Sequence, residues 1–254
     1  MIQILELFGG VGSPRVALRN LGVEVKAIDY VEIDEKAVRS YNAIFADELP
    51  YKTQDVRGWN LKPDILIHGS PCQDFSIAGR QKGADPNSGT RSSLMWETIR
   101  IIQNMGVWKP RIVIWENVKN VRSKHMKHNH DRYIHEMAKM GYNSSFALLD
   151  ARDYGLPQAR QRYFTVSCLG GEVFDFEKME QRGMQNIWDF IEQDEDVGEK
   201  YTIKSPSMLK AIDPDCKRND LSMSSSSRLK ACISSDSNAC RTLSGNFGRL
   251  STFL

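Results

Sequence analysis

The residues best suited to chemistry lie in Gly69-Ser70-Pro71-Cys72-Gln73-Asp74-Phe75-Ser76, where a cysteine follows a proline directly after the apolar run Ile65-Leu66-Ile67. Proline fixes its own φ and pushes Ser70 away from the α region, so the strand is expected to end sharply and to leave Cys72 on an exposed turn. Open α/β sheets keep their ligands at that carboxyl edge. Free cysteine is ordinarily a small buried hydrophobe, but the Ser, Gln, Asp and Ser around Cys72 oppose burial and leave a thiol available for reaction. A second polar group, Glu116-Asn117-Val118, follows the apolar strand Arg111–Trp115 and arrives on the same edge. A third, Gln158-Ala159-Arg160-Gln161-Arg162, precedes the strand Tyr163–Val166. Alternation along an extended segment puts Arg160 and Arg162 on one face, suited to gripping a phosphate or orienting a carboxylate or a base; a surface edge strand gives the same pattern.

These groups need a frame, and the amino terminus supplies its beginning. Ile2–Phe8 reads as a short buried strand, Gly9-Gly10-Val11-Gly12 as a glycine turn, and Val16, Ala17, Leu18 and Leu21 as a helix closed by Gly22, with Ser13 as its cap and Pro14 in its first turn. Strand, glycine turn and helix form the unit that brings backbone close to a nucleotide-type cofactor in a doubly wound fold. Val23–Tyr30 reads as the next strand. Glu32 then follows about twenty residues after the turn, where an acidic side chain accepts hydrogen bonds from a ribose; Asp34 and Glu35 are alternatives for the role. A helix Glu35–Phe45 leads to Thr53-Gln54-Asp55-Val56, where Asp55 at a short strand end is placed to meet an adenine amino group. Further on, 79–90 is too rich in glycine and polar residues to pack and reads as a lid beside the thiol. Leu94–Met105 and Tyr133–Met140 read as helices, Ser144–Leu149 as a strand and Asp150–Pro157 as a turn.

The chain has 254 residues, 41% of them hydrophobic, enough for one full domain and a smaller appendage. A net charge of +2 names no partner, but the charge is uneven. Residues 119–163 hold nine Lys and Arg against four Asp and Glu, 172–199 hold two against ten, and 205–254 hold seven against four. A polyanion is therefore expected on the first and third of these regions. Five cysteines without regular spacing argue against a disulfide framework and a Cys-x-x-Cys zinc site, and fit a reducing, cytoplasmic setting. Lys124–His130 matches no tetrahedral ligand spacing and reads as a solvated basic loop, so no metal is expected. No secretory leader is evident and no run approaches the ~18 apolar residues of a membrane span. From about Gly170 the long periodic runs vanish, which sets residues 1–170 apart as one domain, the catalytic one under the resemblance given below, from a linker with a small irregular region in 171–254.

In order and spacing these stretches resemble the DNA (cytosine-5-)-methyltransferases of bacterial or phage type. Leu7-Phe8-Gly9-Gly10-Val11-Gly12 is similar to the family's cofactor loop, Gly69–Ser76 to its Pro-Cys-Gln motif, and Glu116-Asn117-Val118 and Gln158–Arg162 to its other two catalytic blocks. The match spans residues 1 to about 167. Gly9 stands where alanine is common, Ser13 where glycine is common, and Ser70 where a bulkier residue often precedes the proline.

The resemblance implies a Rossmann-like α/β methyltransferase sheet with a smaller target-recognition region, and a methyl transfer from S-adenosylmethionine to carbon 5 of a cytosine flipped out of duplex DNA. Cys72 would be the thiolate that adds at ring carbon 6, Glu116 the acid at ring nitrogen 3, and Arg160 and Arg162 the groups that position the base and support its charge. Phe8, Gly10, Gly12, Glu32, Ile33, Asp55, Val56, Pro71 and Leu94 would bind the cofactor. Ser70, Gln73, Ser76, Asn117 and Val118 would meet the base and the DNA. Two rivals share the motifs: a transfer-RNA methyltransferase of the same lineage, and a protein that binds without turnover. Cys240–Gly248 resembles the late recognition region, and the family's last block is not found after it. The expectation is a carboxyl-terminal fragment or second polypeptide that completes the fold.

Overall fold

In the computed structural model, residues 1–48, 50–59, 61–71 and 90–190 are described. They separate into two compact units, one built from Met1–Leu149 and Gln161–Met179, the other from Asp150–Arg160 and, among the described residues, 180–190.

The first unit is a six-stranded sheet. Its strands are β1 (Ile2–Leu7), β2 (Val25–Val31), β3 (Ile65–His68), β4 (Ile112–Val118), β5 (Tyr142–Asp150) and β6 (Gln161–Leu169), in the order β2-β1-β3-β4-β6-β5. β1 pairs in parallel with both β2 and β3, β3 pairs in parallel with β4, and β6 runs antiparallel to β4. The chain winds outward from β1 to β2, then crosses back to β3 and continues the other way. The reversal opens a crevice beyond the carboxyl ends of β1 and β3, the place where such sheets bind ligands.

Helices cover both faces, so the doubly wound expectation holds. Helices α1 (Ser13–Asn20) and α2 (Glu35–Ile44) follow β1 and β2, and α3 (Met95–Asn104) and α4 (Lys127–Lys139) follow β3 and β4. On one face Leu5, Leu7, Leu66, Val113 and Trp115 pack with Met95, Ile99 and Ile102 of α3 and Tyr133 and Met137 of α4. On the other, Tyr30, Val38, Tyr41 and Phe45 form a smaller aromatic cluster. Buried and half-buried residues alternate along β3 and β4, and the fully buried set is the one that faces α3 and α4. At about 1.5–3 kcal/mol for each fully buried large apolar side chain, that side contributes most of the sheet's stabilisation.

Several local expectations are corrected. Ser13 does not cap α1; Gly12 occupies the cap with φ 82 and no side-chain hydrogen bond, and its carbonyl accepts from Val16 N. Thr53–Val56 forms no strand: Gln54 N donates to Glu32 O and the Gln54 side chain reaches Asp29 and Tyr30, so the segment is held by single bonds and not a ladder. Helix α4 begins at Lys127, inside the supposed basic loop, because Met126, Asn129 and His130 are buried. Strand β6 begins at Gln161, so Arg160 lies one residue before it.

The second unit is a chain reversal. Asp150 accepts from Arg152 N and Nε, Ala151 N donates to Arg160 O, and Arg182 N and Gln185 N donate to Asp153 O and Gly155 O. Among the described residues no helix is long and apolar enough to cross a membrane.

Candidate active site

The glycine-turn end of the crevice is built from left-handed backbone. Phe8, which follows β1, has φ 55, an unusual conformation for a residue with a side chain and one that clusters at functional sites. Gly10 and Gly12 also have positive φ, 57 and 82. Glu32 meets this turn from the end of β2: its Oε2 accepts from Gly10 N at 3.0 Å, and its Oε1 accepts from Ile33 N at 2.8 Å and Asp34 N at 2.9 Å. The three acidic alternatives now separate. Asp34 caps α2 by accepting from Lys36 N, Glu35 is exposed, and Glu32 alone of the three is bonded to the glycine turn. Ile33 beside it is an exposed apolar side chain, 71% accessible. Asp55 is engaged by Arg57, whose guanidinium holds the Asp55 carboxyl down at about 2, and the neighbouring Val56 is buried in the main core.

Beneath the turn lies a group whose role the sequence alone did not suggest. Glu6, the last residue but one of β1, is 1% exposed; Tyr41 OH donates to its Oε2 at 3.0 Å, while its Oε1 has no hydrogen-bond partner. Burial pushes its carboxyl up to about 7 against the opposing pull of Tyr41 and Arg15. Arg15 donates to Tyr41 OH at 2.8 Å and pairs with Glu48, and Tyr30 OH donates to Gly10 O while its ring stacks on Tyr41 at 3.7 Å. The lone charge in a buried strand was the available signal. Tyr30 also accounts for Gly9, since a Cβ there would stand 2.7 Å from the Tyr30 ring.

The other end of the crevice joins β3, β4 and β6. Gly69, Ser70 and Pro71 follow β3; Glu116, Asn117 and Val118 end β4; and Arg162 sits in β6 opposite Val118. Arg162 Nε pairs with Glu116 Oε1 at 2.9 Å. A Cβ on Gly69 would lie 3.7 Å from Glu116 Oε2, so the carboxylate has one oxygen on Arg162 and the other facing the turn that begins at Gly69. Asn117 points to the opposite face and is 2% exposed. Leu94 lies where a short 3-10 turn, Arg91–Leu94, runs into α3. Arg160 belongs to the second unit, is exposed, and holds the turn to Ala151 through its carbonyl. Cys72, Gln73, Ser76 and the lid segment up to residue 89 lie outside the described residues.

Two buried histidines support this edge. His68, the last residue of β3, bonds through Nε2 to Tyr133 OH at 2.9 Å, and His130 bonds through Nε2 to Thr165 Oγ1 at 3.0 Å. Desolvation lowers them to about 3 and about 4, so both are neutral rings at physiological pH. No group of three His, Cys, Asp or Glu among the described residues is arranged to hold a metal ion.

A doubly wound sheet whose switch point carries a glycine turn with an acidic partner, beside a Gly-Ser-Pro segment faced by an arginine-held carboxylate, defines the α/β class in which ligands bind at the carboxyl edge. The chain belongs to the C-5 cytosine-specific DNA methylase family, whose model matches residues 2–246. It is similar to Type II methyltransferase M2.ScrFI of Lactococcus lactis subsp. cremoris, 31% identical over 261 residues that cover 81% of this chain and 71% of that protein. Orphan methyltransferase M.Rho11sI of Bacillus phage rho11s is 29% identical over 190 residues, 73% of this chain but 37% of its own length. Among solved structures, the methyltransferase EhMeth of Entamoeba histolytica aligns with a TM-score of 0.65 at 21% identity, covering 84% of this chain and 66% of that one, a likeness of fold.

Proposed function

We propose that this protein methylates carbon 5 of a cytosine extruded from duplex DNA, with S-adenosylmethionine as donor. The observation that carries the reading is the Glu116 carboxylate, held by Arg162 through Oε1 and facing the turn at Gly69 through Oε2. It stands beside Gly69, which precedes the Ser70-Pro71-Cys72 sequence, and the reading assigns the acid and that thiol to one site.

The crevice fits the donor. The glycine turn presents backbone with open space at Gly10, where a Cβ would meet nothing within 4 Å; Glu32 offers two carboxylate oxygens beside it; and Ile33 offers an uncovered apolar surface. Phe8, Gly12, Asp55, Val56, Pro71 and Leu94 complete the set assigned to it. When bound, S-adenosylmethionine supplies an electrophilic methyl group.

The protein's own groups do the rest. The Cys72 thiolate adds to ring carbon 6, moving electron density toward carbon 5. Glu116 holds a hydrogen bond or proton at ring nitrogen 3 as that density develops, and Arg162 fixes the carboxyl in place. Loss of the carbon 5 proton and expulsion of the thiolate then restore the aromatic ring. Val118, Gln73 and Ser76 are assigned to the base and the DNA, while the buried Ser70 and Asn117 bond to the protein's own framework. Residues 171–254 are assigned target selection.

The test is transfer of a tritiated methyl group to duplex DNA and, separately, to transfer RNA, followed by identification of 5-methylcytosine. Label in DNA is the expected result. Label in RNA alone would replace the DNA reading, and binding of DNA without any transfer would leave a binding protein.

A further inference from the structure

Three hydrogen-bonding side chains converge on the dipeptide that precedes Cys72. Trp115 Nε1 donates to Ser70 Oγ at 3.0 Å, Ser92 Oγ donates to the Pro71 carbonyl at 2.7 Å, and Asn117 Nδ2 lies 3.5 Å from both the Ser70 carbonyl and its Oγ. All are sequestered: Trp115 is 1%, Ser92 0%, Asn117 2% and Ser70 3% exposed. A buried indole needs a partner for its N–H, and Ser70 Oγ provides it. Trp115 itself has little freedom. Its ring lies 4.4 Å from Tyr133 and 5.4 Å from His130, and parallel to His68 at 5.8 Å, and these three rings are anchored by bonds to one another or to Thr165.

Strand geometry adds a second consequence. Successive side chains of a strand point to opposite faces. Trp115 and Asn117 therefore grip the Ser70-Pro71 turn from the α3/α4 face, while Glu116 between them faces Arg162 and Gly69 on the other.

We propose that Trp115 is a positioning residue: through its bond to Ser70, and with Ser92 on Pro71, it fastens the Ser70-Pro71 dipeptide, which precedes Cys72 in sequence, to strand β4, the strand that carries Glu116. The idea rests on the methyl-transfer reading above. It assigns Ser70 Oγ to the protein's own framework and gives Trp115, Ser92 and the aromatic stack a task in the reaction without contact to the base.

The test compares Trp115→Phe, which removes the N–H and keeps an aromatic ring, with Ser70→Ala, Ser92→Ala and the double variant Trp115→Phe/Ser70→Ala. Single-turnover methyl transfer should fall roughly 10–100-fold in Trp115→Phe and in Ser70→Ala, the scale of a small misplacement of reacting groups. The double variant should be no slower than the slower single one, since both remove one bond. Cofactor affinity should stay near wild type, while the thermal midpoint of Trp115→Phe should fall because the smaller ring leaves a cavity beside Tyr133 and His130. A readout independent of turnover is hydrogen exchange at Gly69, whose amide donates to Leu7 O; it should quicken about tenfold in each single variant. Unchanged turnover and unchanged exchange in Trp115→Phe and Ser70→Ala would overturn the proposal, as would fully multiplicative losses in the double variant. If Trp115→Phe does not fold, turnover and exchange in Ser70→Ala and Ser92→Ala decide by themselves. A wild-type chain with no transfer to DNA refutes the functional reading instead, and the Gly69 exchange then judges the clamp alone.

Discussion

Replacing Gly12 by alanine tests the glycine turn most sharply, because two separate penalties meet at one atom. Gly12 has φ 82, and an added Cβ would stand 2.5 Å from Tyr41 Cε2, 2.7 Å from Tyr41 Cδ2 and 2.8 Å from Phe45 Cε2. Contacts that short force something to move. Tyr41 is poorly able to give, since its ring stacks on Tyr30 at 3.7 Å and its hydroxyl is held by Arg15 at 2.8 Å and Glu6 at 3.0 Å. The left-handed backbone costs a residue with a side chain about 1–2 kcal/mol, and forcing a methyl into a filled core costs about 1–3 kcal/mol more, so a loss of roughly 2–5 kcal/mol is expected. Gly10→Ala is the control. Its φ is 57, but a Cβ there meets nothing within 4 Å, so only the backbone penalty of about 1–2 kcal/mol applies. Urea unfolding should place Gly12→Ala well below Gly10→Ala. Calorimetric titration with S-adenosylhomocysteine should show the reverse emphasis in Gly10→Ala, a modest stability loss with a larger loss of affinity, because its methyl enters the space assigned to the ligand. Equal stability of the two variants would refute the reasoning about Tyr41 and Phe45.

Other expectations rest on the same geometry. Glu116→Gln should cut turnover by about 10²–10⁴ while changing DNA affinity little, as measured by single-turnover transfer beside a binding isotherm; an unchanged rate with weakened binding would make Glu116 a ligand only. Cys72→Ser should abolish transfer and leave cofactor binding intact by calorimetry, and near-normal turnover would exclude the covalent step. Glu6 should make stability pH-dependent: its carboxyl titrates at about 7 in the folded chain against 4.5 ordinarily, so its contribution is full below about pH 4.5 and is lost as pH rises through 7, roughly 3 kcal/mol in all. Unfolding midpoints at pH 5 and pH 8 should therefore differ less in Glu6→Gln than in wild type, and a wild type that gains stability over that range relative to the variant would contradict the sign.

The chain's local order already determined much of this protein. Proline after Ser70, the apolar runs of β1, β3 and β4, and glycines between strand and helix specify where strands stop and which polar residues follow, because φ restriction and hydrophobic period act over a few residues. Hence the glycine turn, Glu32, Glu116 and the end of β3 before Gly69 were legible as separate pieces, and the order of the motifs pointed to the family. The partners were not. Glu32 was distinguished from Asp34 only when Asp34 proved to cap α2, and Arg162 was joined to Glu116 only by the antiparallel pairing of β6 with β4. Gly9 was visible as a departure, and Tyr30, from the next strand, supplied its reason. Glu6 and Trp115 lie in apolar strands, yet one proves buried beneath the glycine turn and the other bonded to Ser70. Those roles depend on register and on which face of the sheet a helix covers. Both are fixed by packing between residues far apart in sequence, and local preference carries no record of them.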